Sequence, residues 1–233
     1  MVIVLSGKLD LWEVASAYFL CEKRSQRIVL LPWLSTGLSL AGLTASEKVY
    51  IVGHFDMMQL CPNDREGISA NALATALVAA GLPAVAKIVL VACDTANSLV
   101  PGLETGQFGP YPQVLKQAIA LHSPGKLSIP VVGYRSGVNV APGGRRYVWN
   151  AEDSSGQATV ETGESAAAQA LQGFLDKQKP PANADGLQDI LKQLTALPEW
   201  KAYCQEIAGD LKTLETDKLV IPKNPPEARK AVY

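Results

Sequence analysis

The sequence predicts an α/β protein, a three-layer sandwich in which a mostly parallel sheet is covered by helices on both faces. Through the first half of the chain, short apolar segments alternate with segments whose apolar residues recur at helical spacing. The segment Lys87–Ala92 is apolar at every position after its lysine, which is typical of a strand buried on both faces. Such strands, alternating with helices, favour a parallel sheet over an antiparallel one.

Five strands are predicted from runs of apolar, largely β-branched residues. The second run stops at Pro32, which cannot donate to a sheet ladder, and the third follows the polar residues Ser46-Glu47-Lys48. The predicted strands are Val2–Leu5, Arg27–Leu31, Val49–Gly53, Lys87–Ala92 and Ser128–Val132.

Three helices separate these strands. Asp10 precedes apolar residues at helical spacing and is the predicted N-cap of the first helix. The second helix, rich in alanine and leucine, begins at Ser69 and ends before Gly81. The third is predicted at Val114–Leu121, after a Gly- and Pro-rich loop at Pro101–Pro112.

The pattern changes after the fifth strand. Two β-rich segments flank Pro142-Gly143-Gly144, which predicts a hairpin, and helices separated by a proline-containing break follow. The predicted hairpin strands are Val138–Ala141 and Arg145–Trp149, and the predicted helices are Ser165–Lys177, Leu187–Leu197 and Glu199–Leu214, ahead of an extended tail. We therefore predict an α/β domain at residues 1–178 and a helical C-terminal extension with its tail at residues 179–233.

Composition excludes several classes of protein. Hydrophobic residues make up 48% of the 233 residues and charged residues 18%, which rules out a wholly disordered chain. A net charge of −1 argues against a dedicated nucleic-acid binder. No apolar run reaches the roughly 18–20 residues that span a bilayer, and the N-terminus lacks the basic start and cleavage site of a signal peptide. We expect a cytoplasmic protein as made, with export by a route other than Sec left open.

Cysteine and histidine usage also limits the chemistry. The four cysteines are scattered, with no C-x-x-C pair, and the chain has only two histidines. This usage predicts reduced thiols rather than a disulfide framework. It argues against a multi-histidine metal site, so no metal is predicted.

Two of the predicted strands are followed directly by residues with nucleophilic or proton-transfer chemistry. His54 follows the third strand, and Cys93 follows the fourth. Because a right-handed strand–helix–strand unit places its strands side by side or one apart, both residues are expected at the same edge of the sheet. An imidazole can take the proton of a thiol and leave the nucleophilic thiolate. Either residue alone is more often structural, but the pair at matching strand ends predicts a catalytic dyad.

Other groups near these strand ends are weaker candidates for a role in catalysis or substrate binding. The backbone N–H groups of Gly53 and Cys93 are candidates for an oxyanion hole. Asp94, Thr95 or Asn97 would orient the imidazole or bind substrate, although capping of a turn is the favoured interpretation of the first two.

Three further residues have two interpretations each. Asp56 is equally consistent with a pair to His54 and with a solvated loop carboxylate. Arg135, after the fifth strand, would favour an acidic substrate side chain, and a surface salt bridge is at least as good an account. Cys61 is the rival nucleophile, ranked below Cys93 because it does not follow a predicted strand.

The order of these features resembles a known family. An apolar strand ending in Gly-His, then a helix, then an apolar strand ending in Ala-Cys resembles the caspase-like fold of clan CD cysteine peptidases. The similarity is closest to the self-cleaving cysteine protease domains of large bacterial toxins. The matching stretches are Val49–His54, the helix start Ser69–Ala74, Ile88–Cys93, and, more weakly, Val131–Ser136 with the hairpin Val138–Trp149. They cover roughly residues 1–175, by order of features rather than by high identity.

The resemblance implies a cysteine endopeptidase that uses His54 and Cys93. Its substrate would be a peptide or protein, either the chain itself or a host or partner protein, as for a bacterial effector. Arg135 lies where clan members place residues of the specificity pocket. The toxin domains bind inositol hexakisphosphate through a basic patch beside the hairpin flap. Here Arg145 and Arg146 form only a sparse cluster, for which a solvated strand face is favoured, so no cofactor is predicted.

Two alternatives to a peptidase are considered, and a departure from the family motivates the first. The family usually has glycine after the histidine, where this chain has Phe55. A catalytically inactive binding or scaffold module on the same fold is therefore the first alternative. The second is a cysteine-dependent acyl hydrolase or transferase that acts on a non-peptide substrate.

Overall fold

The computed structural model describes most of the chain. It covers residues 1–5, 9–22, 28–31, 39–56, 59–61, 67–93, 95–96, 98, 100–101, 108–149, 165–179, 181, 184–217, 219–222 and 230–232. The helices are α1 (Leu11–Glu22), α2 (Ala70–Ala79), α3 (Tyr111–His122), α4 (Ala166–Leu175), α5 (Ala184–Ala196) and α6 (Pro198–Thr216). The strands are β1 (Val2–Leu5), β2 (Ile28–Leu31), β3 (Lys48–Val52), β4 (His54–Phe55), β5 (Leu60–Cys61), β6 (Lys87–Val91), β7 (Val100–Pro101), β8 (Phe108–Gly109), β9 (Val131–Tyr134), β10 (Val138–Ala141), β11 (Arg145–Trp149), β12 (Val220–Pro222) and β13 (Lys230–Val232).

A six-stranded sheet in the order β13-β9-β6-β3-β1-β2 forms the centre of the molecule. The sheet is parallel from β9 to β2. At its other edge, β13 pairs antiparallel with β9. The predicted α/β class and mostly parallel central sheet are confirmed. The connection from β3 to β6 contains α2 and places the two strands side by side, as the right-handed connection rule allows.

Helices cover both faces of this sheet. Along each strand, alternate side chains enter different apolar clusters. Ile51 and Leu90 pack with α2 and α3 on one face. Tyr50, Val52 and Val91 pack on the other face with α1, α4, α5, α6 and the hairpin β10–β11. We call this second side the α1 face, and the layering is consistent with the predicted three-layer sandwich.

Two element boundaries differ from prediction for reasons that involve proline. Strand β9 begins at Val131, not at Ser128, because Pro130 has no N–H to donate; its carbonyl accepts the Ile88 N–H at 2.9 Å. Helix α3 begins at Tyr111, before the predicted Val114. Pro112 lies in its first turn, where proline costs nothing because those N–H groups have no partner within the helix.

The C-terminal part packs on the α1 face. The hairpin is confirmed, with Val138 paired to Val148 and its turn formed by Gly143 and Gly144 at positive φ of 77° and 71°. Apolar residues of α5 and α6, such as Trp200, share one cluster with α1 and the sheet. In the described parts of the predicted tail, β12 pairs with β11 and β13 pairs with β9; residues 223–229 lie outside the described residues. The division of the chain at residue 178 stays a prediction.

Within the described ranges, none of the helices combines the length and the apolar character needed to cross a bilayer.

Candidate active site

The register of the central sheet aligns the ends of the two strands that precede His54 and Cys93. Strands β3 and β6 are parallel, with Val52 opposite Val91. The Gly53 N–H donates to the Val91 carbonyl at 3.3 Å, which extends the ladder beyond β3. His54 and Cys93 each lie two residues beyond this pair, His54 in β4 and Cys93 in the turn after β6. Adjacent strands lie about 4.8 Å apart, so the two strand ends are neighbours, and the closeness of the two side chains stays a prediction.

The His54 ring lies on the α1 face of the sheet. Val52 packs on that face, and the His54 ring, two residues later, contacts α1. On the neighbouring strand Val89 and Val91 pack on the same face. Cys93 follows that strand by two residues and is half-buried, and its position on the face of His54 stays a prediction.

Helix α1 holds the His54 side chain and its backbone. The imidazole Nε2 lies 3.4 Å from Asp10 Oδ1, and the ring stacks on Trp12 with centroids 5.1 Å apart and planes tilted by 33°. The His54 N–H donates to Glu13 Oε1 at 3.3 Å. His54 nevertheless keeps 44% of its side-chain surface exposed, so the ring is positioned and still accessible.

Asp10 serves both α1 and His54. As the predicted N-cap, it accepts the Glu13 N–H on Oδ1 at 3.1 Å. Burial acts to raise the pKa of this carboxyl, but hydrogen bonds from His54 and from the backbone of Glu13 and Trp12 outweigh burial, so the pKa lies below its ordinary value of 3.8. Asp10 is therefore ionised at neutral pH and suited to orient an imidazole.

Sequence reasoning identified Asp10 only as a helix cap and missed Glu13. Glu13 is fully buried, in the first turn of α1, where the positive end of the helix dipole favours a carboxylate. A signal for Asp10 existed: it follows β1, which pairs with β3 through Val4 and Val52. A carboxylate after one strand and a histidine after its neighbour meet at the same edge of a parallel sheet.

Thr95 anchors the chain just after the candidate nucleophile. Its side chain is fully buried, and Oγ1 accepts the Tyr134 N–H at 3.1 Å. The Ala96 N–H donates to the Tyr134 carbonyl at 2.8 Å. Thr95 Oγ1 thus joins this part of the chain to β9, whereas the favoured interpretation of its sequence position was the capping of a turn. Asp94 and Asn97 lie outside the described residues.

The remaining candidates are distributed around the site. Gly53 donates its N–H within the sheet, so that donor is already committed and the predicted oxyanion hole depends on the Cys93 N–H. Phe55 packs edge-on against Tyr111 with centroids 5.3 Å apart, on the side of α2 and α3 and therefore away from the His54 ring. Arg135 is exposed directly after β9, and its role in specificity stays a prediction.

Asp56 and Cys61 belong to the short hairpin β4–β5. The Asp56 carboxylate accepts the Gln59 N–H at 2.9 Å and so stabilises the turn. In the two-stranded sheet the backbone of Cys61 pairs directly with that of His54. Cys61 therefore stays the rival nucleophile that experiments must separate from Cys93.

Neither the models of known protein families nor the curated proteins contain a match to this chain. Among the described residues, no three side chains of His, Cys, Asp or Glu are grouped so that they would hold a metal ion. The site is therefore argued from its own geometry.

Two substitutions separate the roles of Asp10. Asp10→Ala is expected to lower the free energy of unfolding at pH 7 by about 1 kcal/mol, and Asp10→Asn by less, because asparagine also caps helices. Since the pKa of Asp10 is depressed in the folded protein, the stability from its charge is present above pH 3.8 and is lost as pH falls through the folded pKa. The difference in the free energy of unfolding between wild type and Asp10→Asn should therefore become smaller at acid pH. Urea unfolding at pH 7 and about pH 3 measures this difference. The same difference at both pH values would contradict the role of the Asp10 charge.

Proposed function

We propose that this chain is a cysteine peptidase in which Cys93 is the nucleophile and His54 the proton carrier. The observation that supports it most is the register, which brings together the ends of the two strands that precede Cys93 and His54, with the histidine held by Asp10 and Trp12. The caspase-like resemblance adds the substrate class, a peptide or protein, with self-processing or a host or partner protein as targets.

The proposed mechanism assigns one proton path to His54. Because Nε2 lies beside the Asp10 carboxylate, Nδ1 is the nitrogen that exchanges a proton at the reacting centre. The Cys93 thiolate adds to the scissile carbonyl, and the amine leaves with a proton from the imidazolium, which forms a thioester. Water then gives a proton to His54 as it attacks the thioester, releasing the acid and restoring the thiol.

The alternatives share parts of this geometry. An acyl hydrolase or transferase would use the same thioester step on a non-peptide substrate. The inactive binding module was motivated by Phe55, whose ring packs against Tyr111 on the side of α2 and α3. The space above His54 is not filled by that ring, which reduces the argument for an inactive site.

Alkylation by iodoacetamide as a function of pH, mapped by peptide mass spectrometry, tests the dyad. The rate of Cys93 alkylation is expected to have its pH midpoint well below the ordinary thiol value of about 8.5. In His54→Ala this midpoint is expected to rise towards the ordinary value. Cys21 and Cys204 serve as internal controls, because burial raises their pKa to about 12 and about 11. A Cys93 midpoint near 8.5 that ignores His54 would refute the dyad, and selective labelling of Cys61 would transfer the nucleophile to that residue.

A further inference from the structure

Arg146 is fixed on the α1 face by two buried tyrosines. From β11 its Nη1 donates to the Tyr134 hydroxyl at 2.6 Å, and its guanidinium lies over the Tyr50 ring, 5.8 Å from the centroid. Arg146 is half-buried, whereas both tyrosines are almost completely buried. The guanidinium is thus held in one place by a hydrogen bond and a cation–π contact.

None of the described carboxylates pairs with Arg146, whereas its neighbour Arg145 pairs with Glu215 at 3.7 Å. The Tyr134 hydroxyl does not balance the charge of Arg146 either. Burial raises the pKa of Tyr134 more than Arg146 lowers it, so the phenol stays neutral. Successive residues of a strand point to opposite faces, which explains why Arg145 and Arg146 have such different surroundings.

The two tyrosines link the guanidinium to the chain on either side of Cys93. Tyr50 is paired with Val89 of β6, four residues before Cys93. The backbone of Tyr134 bonds to Thr95 and Ala96, two and three residues after Cys93. A group that bridges Tyr50 and Tyr134 therefore contacts residues that are bonded to the chain on both sides of Cys93.

Most of the other charges at this edge disfavour a thiolate. The titratable and charged groups on the elements around the ends of β3 and β6 are Asp10 and Glu13 of α1, His54 of β4, Asp56 after β4, Arg135 after β9, and Tyr50 and Tyr134 of the sheet. The carboxylates raise the pKa of a nearby thiol. Arg135 is exposed, so solvent screens its charge. Arg146 is half-buried, so its permanent positive charge is screened less and can oppose these carboxylates.

We propose that Arg146 is a positioning residue of the candidate site, whose fixed positive charge stabilises the thiolate of Cys93 against the carboxylates of α1. The inference rests on the proposed function, in which Cys93 reacts as its thiolate. A single permanent charge near a thiol, in surroundings between protein and water, shifts the midpoint of the thiol by about 0.5 to 1 unit.

The test measures the Cys93 alkylation midpoint in matched variants of the full chain. Arg146→Gln is expected to raise the alkylation midpoint of Cys93 by about 0.5 to 1 unit. Arg146→Lys keeps the charge and is expected to keep the midpoint near the wild-type value. Arg145→Gln is expected to leave the midpoint unchanged, because the Arg145 charge is exposed and paired with Glu215. Arg146→Met, neutral but with a similar apolar stem, repeats the test if the glutamine variant does not fold. Near-ultraviolet circular dichroism checks the fold of each variant.

The outcomes separate this inference from the proposed function. If wild-type Cys93 has a low midpoint that depends on His54, but neutral variants of Arg146 do not raise it, the role of Arg146 is refuted and the dyad stands. An equal shift in Arg145→Gln would also refute it, because the effect would then be one of general charge. A wild-type midpoint near 8.5 would refute the dyad itself and the Arg146 inference with it.

Discussion

Replacing Cys93 by alanine is expected to reduce peptide cleavage by about 10³-fold or more while leaving the fold intact. The nucleophile cannot be substituted by a neighbouring group, and loss of such a residue typically removes almost all of the chemical step. Cys93 is only half-buried, so truncation of its side chain leaves no large cavity in the core. The assay follows cleavage of a peptide library and self-cleavage of the intact chain by mass spectrometry.

Cys204→Ala is the matched control for this experiment. Cys204 is a half-buried thiol on α6, and burial raises its pKa to about 11, so it has no part in the proposed chemistry. Its variant should cleave at the wild-type rate. Full cleavage by Cys93→Ala would exclude Cys93 as the nucleophile. Loss of cleavage in Cys61→Ala alone would assign the reaction to Cys61, which is paired with His54 in β4–β5.

Gly133→Ala is expected to lower the free energy of unfolding by about 1–3 kcal/mol, the range for overpacking a filled site. A Cβ at Gly133, in β9, would lie 2.6 Å from Pro112 Cγ and closer still to Thr95 Oγ1. Thr95 is fully buried and bonded to the Tyr134 N–H, so it cannot move aside cheaply. Because Thr95 follows Cys93 by two residues, the same substitution should also slow alkylation of Cys93.

Gly209→Ala provides a control with the opposite expected sign. Gly209 lies in α6, where an added Cβ meets nothing within 4 Å. Alanine there should stabilise the protein by about 0.5–1 kcal/mol through helix propensity. Urea unfolding of the two variants compares them directly, and a Gly133→Ala protein as stable as wild type would show that β9 and the chain after Cys93 are not tightly packed.

The order of strands and helices and the two candidate residues after strand ends could be predicted from the amino-acid sequence alone. Apolar runs, caps and turn residues are local signals, and they predicted β1, β2, β3, β6 and the hairpin β10–β11 close to their observed positions. His54 and Cys93 were found because each follows such a run directly. The rule for parallel connections then brought them to one edge without knowledge of the packing.

The surroundings of His54 and of Arg146, in contrast, depend on how distant elements pack together. Asp10 and Glu13 act on His54 because α1 packs across the carboxyl ends of β1 and β3, which no local pattern reports. Arg146 reaches Tyr50 and Tyr134 because the hairpin folds onto the α1 face. Side-chain direction and charge environment depend on contacts between residues distant in the chain. The sequence therefore determined which groups are available for chemistry, and the packing of α1 and the hairpin on the sheet decided how they are arranged.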